Sequence, residues 1–425
     1  MIPKEWLQHL PQPNPIAAGK KWNVFLSYRS VNRGWVLNLY DVLTELGFKV
    51  FLDQYVLKPG DSLAQILEDG LEKSQAGILI WSTTAADSNW VRNEYDVLLN
   101  MATNDAKFRF VPIRIDRTKL PPFANTKLFL DFSEYPDGPN GGDFLRLVYG
   151  ILGMEMTNEA VHFAWEQDEA AGIANAQIIA AIRNGMPKRL IQLFSEGGLP
   201  WKTAASLACK AADGLIKLGY ESDALGMLDQ IEKQFPKAIR PKQLKALALA
   251  RSGKPDNLEL AQSILGELYA RNHLDPETLG IYGRTWMDRY KSSQDLSHLK
   301  QSRNYYAEAF ERSPDDYYTG INAAAKSIFL GEIDKGMKYA EEVIKLIGAE
   351  PVEKDYWQTA TIGEILLMQK KYKEAAEMYQ HAIDMAPSES SSHESTYKQA
   401  IMLLNKLGAN EGEVKFIQDV FAHLR

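Results

Sequence analysis

Hydrophobic residues in the first third of the chain form short runs, separated by segments of helical period. The apolar runs are Val24 to Arg29, Phe48 to Asp53, Ala76 to Trp81 and Phe110 to Arg114. Near-continuous apolar runs alternating with amphipathic segments are typical of a parallel sheet covered by helices on both faces. The pattern predicts an α/β domain with a five-stranded parallel sheet, its fifth strand over Lys127 to Leu130.

Turn-forming residues mark both ends of this domain. Residues 1–19 contain Pro11, Pro13 and Pro15 and predict an extended N-terminal arm, interpreted as a plain tail. A cluster of proline, glycine and asparagine at 136–142 precedes a last helix over about 143–152. We therefore expect the α/β domain to cover residues 20–153.

Beyond this domain the strand patterns disappear, and apolar residues recur at helical spacing up to the C-terminus. Residues 154–425 are therefore predicted to be all-α. The segment Tyr356 to Pro387 fits the 34-residue tetratricopeptide period. The small, aromatic and terminating positions of the repeat are occupied by Gly363, Tyr372, Ala375, Tyr379, Ala382 and Pro387. We expect a curved helical solenoid of about six or seven irregular hairpins.

Composition excludes several classes of protein. A chain of 425 residues that is 45% hydrophobic and 24% charged is globular and long enough for two or more domains. A formal net charge of -7 without basic runs argues against binding to nucleic acid or to an anionic membrane. The single cysteine, Cys209, excludes an intrachain disulfide. With no signal peptide or membrane span evident, we expect a cytoplasmic protein.

The segment NWVRNEYDVLL begins a predicted amphipathic helix and carries the strongest candidate chemistry. Trp90 and Glu94 are four residues apart, so they share one helix face and put a carboxylate beside an aromatic wall. That arrangement suits a cationic sugar. The sequence has no HExxH, Walker-type or GxGxxG motif, so we predict no metal site and no kinase, NTPase or dehydrogenase activity.

Six motifs occur in an order that resembles the Toll/interleukin-receptor (TIR) domain over residues 20–152. They are VFLSYRS, GFKVFLD, YVLKPGDSL, ILIWS, WVRNE and FVPIRID. The resemblance implies a flavodoxin-like doubly wound fold. The helical part resembles the tetratricopeptide-type TRAF-binding region of stress-kinase activators over about residues 240–350, most clearly in LGIYGRTWMDRY.

The resemblance to catalytic TIR domains implies cleavage of NAD+ at the nicotinamide–ribose bond, with Glu94 as the catalytic residue. NAD+ would be the substrate, and no cofactor is expected. The nicotinamide leaves as a neutral molecule, so a second carboxylic acid is not needed to protonate it. Trp90 would shield the site and lower its dielectric constant. The product is either ADP-ribose or a cyclic isomer of ADP-ribose.

Further substrate contacts are expected where the first strand ends and in the loop at 57–62. Ligands of open parallel sheets bind at the carboxyl ends of the strands, which points to Tyr28 and to Arg29, the latter facing the pyrophosphate. Trp35 and Trp81 are further candidates for stacking on a base or on nicotinamide.

The loop contacts follow from the resemblance alone. The loop from Leu57 to Ser62, bent at Gly60, matches the segment that completes the site of a neighbouring subunit in TIR assemblies. Activity would therefore depend on self-association of TIR domains. Many catalytic relatives carry an aromatic residue where this chain has Ser62.

These observations predict an NAD+ glycohydrolase that acts as an immune or stress signalling effector. The helical region would sense or bind an unidentified protein or small-molecule trigger. The sequence leaves an alternative open: a non-catalytic TIR adaptor that signals through protein–protein contacts, in which Glu94 has no catalytic role. A third interpretation is a TIR domain that binds the nucleotide without turnover.

Overall fold

The computed structural model describes residues 2–29, 32–52, 63–86, 89–120, 129–133, 138–139, 141–314, 316–350 and 355–424, without the side chains of residues 63, 64, 83, 84 and 89–93. The chain forms two compact units. The first comprises residues 1–177, 193–210 and 229–241, and the second comprises residues 178–192, 211–228 and 242–425. The domain limits expected from the sequence, at residues 19 and 153, stay predictions.

A parallel sheet lies in the first unit. Its strands are β1 (Trp22–Ser27), β2 (Val50–Phe51), β3 (Ser74–Trp81), β4 (Arg109–Arg114) and β5 (Leu130–Asp131). They are hydrogen-bonded in the order β2-β1-β3-β4-β5, and every pairing is parallel. This is the flavodoxin-like order. The expectation of a five-stranded parallel sheet is therefore confirmed.

Several strand ends differ from the sequence-based prediction, and those of the first and last strands lie at the carboxyl edge of the sheet. β1 ends at Ser27, so Tyr28 and Arg29 lie just beyond the strand. The fifth strand is Leu130–Asp131, and the first two residues of the predicted run, 127 and 128, lie outside the described residues.

Helices connect and cover the strands. In the described residues before 154 they are α1 (Lys4–Leu7), α2 (Arg33–Glu45), α3 (Leu63–Glu72), α4 (Thr83–Ala86), α5 (Asn89–Asn104) and α6 (Gly141–Leu152). Alternate residues of a strand face opposite sides of a sheet, and Phe25 of β1 and Leu79 of β3 pack in one core cluster with Leu98 of α5. The rings of Phe25 and Phe51 stack there at a centroid distance of 5.0 Å.

The N-terminal arm is a packed element, so its interpretation as a plain tail was wrong. Trp6 of α1 is fully buried. The centroid of its ring lies 5.8 Å from that of Phe144 of α6 and 5.2 Å from that of Phe163. The hydroxyl of Tyr149 donates to the carbonyl oxygen of His9 at 3.0 Å. The segment that follows contains Pro11, Pro13 and Pro15 and forms neither helix nor strand.

The rest of the described chain is helical. Its helices are α7 (Asn158–Arg183), α8 (Pro187–Glu196), α9 (Pro200–Thr203), α10 (Ser206–Lys217), α11 (Glu221–Gln234), α12 (Arg240–Arg251), α13 (Pro255–Ala270), α14 (Pro276–Ser293), α15 (Leu296–Arg312), α16 (Tyr317–Leu330), α17 (Ile333–Ile347), α18 (Tyr356–Met368), α19 (Tyr372–Met385), α20 (Ser390–Leu407) and α21 (Glu411–Val420). A 3-10 turn follows at Ala422–Leu424. The predicted all-α, tetratricopeptide-like solenoid is confirmed.

The hairpin of α18 and α19 shows why the repeat needs its small residues. A Cβ atom at Gly363 would lie 3.1 Å from the ring of Tyr379 and 3.3 Å from the carbonyl oxygen of Ala375. Tyr379 is itself 1% exposed. The glycine thus lets the two helices approach closely, and the tyrosine fills the space beside it, as the repeat period predicts.

Polar caps delimit these helices. The side chains of Asp316 and Asp355 accept hydrogen bonds from backbone amides in the first turns of α16 and α18, at 2.8 and 3.0 Å. Gly331 directly follows α16 and caps it, with a φ of 86° in the left-handed conformation that favours glycine. Cys209, the single cysteine of the chain, is buried. No helix among the described residues has the length and apolar character needed to cross a membrane.

Candidate active site

The candidate site lies at the carboxyl edge of the sheet, where β1 and β3 are neighbours. In the order β2-β1-β3-β4-β5 the chain leaves β1 in one direction to reach β2 and later returns to its other side as β3. Ser27, the last residue of β1, is paired with Leu79, close to the end of β3. Open α/β sheets bind their ligands in the crevice at such a switch point.

α5 brings Glu94 to this crevice. Glu94 and the fully buried Leu98 are four residues apart, so both lie on the helix face directed at the sheet. Gly77 of β3 lies against Leu98, and a Cβ atom at position 77 would overlap with the leucine side chain. The glycine therefore lets α5 lie close to β3, and Glu94, one turn before Leu98, reaches the sheet edge half-buried.

Ser27 and Glu94 form the central contact. The hydroxyl of Ser27 donates to Glu94 Oε2 at 2.6 Å, and Ser27 is 1% exposed. A hydroxyl–carboxylate hydrogen bond of this length is charge-assisted and fixes the orientation of the carboxylate. Ser27 is not among the site residues predicted from the sequence. A serine directly after the apolar run Val24-Phe25-Leu26 is too common a feature to mark a functional residue.

A second polar contact joins the segments that follow β1 and β3. Ser82, directly after β3, donates its hydroxyl proton to Asn32 Oδ1 at 2.9 Å. The same oxygen of Ser82 accepts from the backbone N–H of Ala85 at 3.1 Å, at the start of α4. This contact holds the start of α2 beside the start of α4, and neither residue was singled out from the sequence.

Tyr28 and Arg29 lie at the predicted edge. Both are half-buried and directly follow Ser27. The carbonyl oxygen of Arg29 accepts from the backbone N–H of Asn32, just before α2, at 2.8 Å. The structure thus brings the two residues to the edge where Glu94 lies.

Other predicted site residues fall outside the described part of the chain. Leu57, Gly60 and Ser62, with the rest of the 57–62 loop, lie outside it. The backbone of Trp90 belongs to α5, one turn before Glu94, while its side chain is outside the described set. These roles stay predictions.

The two tryptophans considered for stacking are core residues, so that expectation was wrong. Trp35 is 5% exposed, and its ring meets the ring of Phe132 edge-on at 5.5 Å. Trp81 is 4% exposed, and its indole N–H donates to the carbonyl oxygen of Lys119 at 2.9 Å. Neither ring has a face open to a ligand, because both help to build the core around the sheet.

At the carboxyl edge of the sheet, the charged residues at the ends of β4 and β5 form an ion pair. Arg114, the last residue of β4, forms a salt bridge with Asp131 of β5. Burial alone would raise the pKa of Asp131, but hydrogen bonds from Arg114 and Ser133 outweigh it and lower that pKa. Asp131 and Arg114 thus hold the ends of β4 and β5 together.

The arrangement offers one fixed carboxylate in a crevice between parallel strands. A negative group held by a hydroxyl at this position can stabilise positive charge that develops on a bound sugar. Among the described residues, no group of three or more His, Cys, Asp or Glu side chains is placed to hold a metal ion.

Two family models match the chain. Residues 24–147 match the TIR domain, and residues 221–330 match a family described as Tetratricopeptide Repeats-Sensor. The first match covers the sheet and the Ser27–Glu94 contact, and the second covers α11 to α16. The proposed likeness to a TRAF-binding region is not part of either match and stays a prediction.

Bacterial relatives resemble the TIR part. The protein of Brucella melitensis named "Probable 2' cyclic ADP-D-ribose synthase TcpB" is 34% identical over 97 residues, which are 23% of this chain and 38% of that protein. The Escherichia coli protein named "NAD(+) hydrolase TcpC" is 32% identical over 93 residues, which are 22% of this chain and 30% of that protein. The chain therefore spans about a third of the length of these curated relatives.

Among solved structures, the TIR domain of the Toll-related receptor TRR-2 from Hydra magnipapillata is 24% identical, with a TM-score of 0.24. The match covers 27% of this chain and 86% of that domain. The strand order, the matched motifs and the family models agree on the organisation of the molecule. The chain carries a TIR domain over residues 24–147, with relatives named as NAD+ hydrolases and cyclic ADP-ribose synthases, and a tetratricopeptide sensor region over residues 221–330.

Proposed function

We propose that the protein is an NAD+ glycohydrolase whose catalytic residue is Glu94. The observation that carries the proposal is the hydrogen bond from Ser27 to Glu94 at the switch point of the sheet. The names of the bacterial relatives support the same reaction class, since they describe NAD+ hydrolysis and the synthesis of cyclic ADP-ribose.

The reaction needs one well-placed negative charge. The bond between the ribose C1′ and the nicotinamide nitrogen breaks, and nicotinamide departs as a neutral molecule with the electron pair. Positive charge is left on the ribose, and the carboxylate of Glu94 stabilises it. A nucleophile then forms a bond to C1′. Because the pyridinium group is already an activated leaving group, no general acid is required for this first step.

The remaining site residues bind and position the substrate in this proposal. Arg29 faces the pyrophosphate, as a guanidinium group pairs well with phosphate oxygens. Tyr28 contacts the substrate beside it, and Trp90 shields the ribose from water. Ser27 is a positioning residue, because it holds the carboxylate of Glu94 rather than contacting NAD+.

The test is release of nicotinamide from NAD+ by the purified full-length protein, beside Glu94→Ala and Asp96→Ala. Asp96 lies two residues further along α5 and is exposed, so its variant controls for loss of a carboxylate from this helix. Assays run at high protein concentration with a crowding agent. We expect turnover by the parent and by Asp96→Ala, and none by Glu94→Ala. Silence of all three would contradict the proposal and favour the adaptor alternative.

Activity depends on self-association of TIR domains, with the 57–62 loop of one copy completing the site of the next. Support comes from the resemblance of this loop to the segment with that role in TIR assemblies. Dilution to a monomer, or Gly60→Glu in the loop, should then abolish turnover while the fold is retained by circular dichroism. Full turnover by a strictly monomeric preparation would contradict this part of the proposal.

The helical region regulates the TIR domain, and the protein acts as an immune or stress effector. Support comes from the sensor family matched at residues 221–330 and from the ion pair of Arg146 in α6 with Asp168 of α7 at 2.7 Å. Asp168→Ala should therefore change basal NAD+ turnover without changing KM for NAD+. An unchanged basal rate would contradict a restraint exerted through α7.

The nucleophile that attacks C1′ decides the product. Water as the nucleophile at C1′ gives ADP-ribose, whereas attack by a hydroxyl or ring nitrogen of the same molecule gives a cyclic isomer. The relatives carry names of both kinds. We propose a linear or cyclic ADP-ribose product, and a chromatogram of the reaction mixture against both standards identifies it.

A further inference from the structure

A polar groove lies within the second unit, among α12, α14, α16, α18 and α20. It consists of two adjoining cavities of about 490 and 70 Å³, which share Arg284, Asp288, Lys291 and Ser395 in their walls. The larger volume is in the range of small-molecule sites. The groove is separate from the TIR crevice, and nothing in the proposed reaction uses it.

The described lining of the groove is cationic, although the whole chain is acidic. Seven lysine or arginine side chains and five aspartate or glutamate side chains line the two cavities. The chain as a whole has a formal net charge of -7. An excess of positive charge inside a groove of an acidic protein attracts an anion to that place.

Some of these charges already have partners. Lys326, 2% exposed, donates to Asn322 and Gln399, and burial lowers its pKa while Glu364 opposes that shift. Glu364 in turn has its pKa raised by burial, against the effect of Lys326. Lys398 pairs with Glu394 at 2.6 Å. Within each of these pairs the positive and negative charges balance. The excess positive charge of the groove therefore lies on its other side chains.

Arg251 and Arg284 are largely buried guanidinium groups in the wall of the groove. Burial and the neighbouring charge of Arg284 lower the pKa of Arg251 to about 10. Within the described residues, the Nε atoms of both arginines have no hydrogen-bond partner. Asp288 lies 3.7 Å from Arg284 Nε and 3.1 Å from Lys291, so one carboxylate is shared between two cations. Two partly desolvated guanidinium groups side by side are costly without an anion between them.

Hydroxyl groups complete the arrangement. Arg251 Nη1 donates to the hydroxyl oxygen of Ser391 at 3.0 Å, and Arg284 Nη1 donates to that of Ser395 at 3.5 Å. Each serine accepts in these contacts and keeps its own proton to donate. Phosphate combines high charge with several oxygens, and it matches guanidinium forks and hydroxyl donors together.

We propose that the groove between Arg251 and Arg284 is a binding site for a phosphorylated small molecule, with Ser391 and Ser395 as further donors to the phosphate. The ligand supplies acceptors for the Nε atoms of the two guanidinium groups. This inference does not rest on NAD+ cleavage, because binding is measured directly.

The probe is inorganic pyrophosphate, titrated into the full-length protein by isothermal calorimetry in a phosphate-free buffer. We expect one site per chain and a Kd weakened at least about tenfold by Arg251→Gln and by Arg284→Gln, since each removes a charge-assisted contact. The control is Arg271→Gln, which removes an equal charge from an exposed pair with Glu267 outside the groove. Its Kd should match that of the parent.

Thermal unfolding separates binding from folding. Pyrophosphate should raise the Tm of the parent and of Arg271→Gln by similar amounts and that of Arg251→Gln by less, and the folding of Arg251→Gln is verified by its own cooperative transition. Succinate, a dianion without phosphate, is the comparison ligand and should bind more weakly. Absence of binding by the parent, equal binding of succinate, or equal loss of affinity in all three variants would overturn the proposal.

Discussion

Ser27 and Glu94 are 67 residues apart in the chain, and their hydrogen bond joins the end of β1 to the second turn of α5. The contact forms because the apolar strand ends in a small hydroxyl residue and because Leu98 directs the same face of α5 towards the sheet. A carboxylate fixed in this way keeps one orientation, which a flexible surface glutamate does not.

Ser27→Ala tests this positioning. Loss of a hydrogen bond to a charged group is worth about 1.5–3 kcal/mol, so we expect kcat for NAD+ cleavage to fall about tenfold or more. KM should change little, because Ser27 does not contact the substrate. The control is Ser74→Ala at the amino end of β3, where the buried serine donates to the carbonyl oxygen of Gly70 at 2.7 Å. Parental kcat in a folded Ser27→Ala protein would contradict the assignment.

Gly77→Ala tests the close approach of α5 to β3. The added Cβ would overlap with Leu98 and lie 3.3 Å from the ring of Phe108, so the helix must shift. We expect a loss of about 1–3 kcal/mol of unfolding free energy, together with lower NAD+ turnover. Gly172→Ala in α7 is the matched control, since no described heavy atom lies within 4 Å of a Cβ there. That variant should be stabilised by about 0.5–1 kcal/mol. Equal stability of the two variants in urea unfolding would contradict the argument.

Trp6→Ala tests whether the N-terminal arm is part of the fold. Trp6 is fully buried against Phe144 and Phe163, so truncation should cost about 3–5 kcal/mol of unfolding free energy. Leu7, its neighbour in α1, is 48% exposed, and Leu7→Ala should change stability by less than about 0.5 kcal/mol. Urea denaturation followed by fluorescence and by circular dichroism provides the measurement. Similar stabilities of the two variants would mean that the arm is not anchored by Trp6.

The buried environment of His393 predicts how the stability of the second unit depends on pH. Its Nε2–H donates to the carbonyl oxygen of Ala386 at 3.0 Å, so its Nδ1 accepts from His423 Nε2, also at 3.0 Å. Burial, followed by the charge of His423, lowers the pKa of His393 from its ordinary value of 6.5. The fold thus favours the neutral ring, and the unfolded chain binds the extra proton at higher pH. This stability is fully present above about pH 6.5 and is lost as the pH falls through the folded-state pKa.

Calorimetry between pH 5 and pH 8 measures this dependence. Tm should fall on acidification, and it should fall less steeply in His393→Gln. His381→Gln removes an exposed histidine from α19 and is the control for loss of an imidazole. Parallel curves for the parent and His393→Gln would contradict the role of His393.

The fold could be predicted because its signals are local and repeated. Apolar runs such as Ala76 to Trp81 are too continuous for an exposed strand, and the order of the matched motifs fixed the topology. The hairpin of α18 and α19 was predictable since Gly363 and Tyr379 occupy fixed positions of the repeat. Trp6 was missed because its partners lie far along the chain, and the prolines after it suggested a tail.

The site was predictable only in part. Glu94 stands out because helical spacing and the WVRNE motif mark it together. Ser27 carries no signal of its own, since a serine that ends a strand is common and its partner is known only once α5 is packed. Trp35 and Trp81 were misassigned because an aromatic residue in an apolar segment fits equally well in a core and in a binding site.

The central claim is that the negative charge of Glu94 promotes NAD+ cleavage, and Glu94→Gln tests it most directly. The amide keeps the shape of the side chain and can still accept the hydrogen bond from Ser27, but it has no negative charge. Nicotinamide release from NAD+ is measured for both proteins at equal, high protein concentration, with NAD+ binding determined in parallel. We expect turnover to fall by at least about a hundredfold while NAD+ binding is retained. Equal rates for the parent and Glu94→Gln would contradict the account.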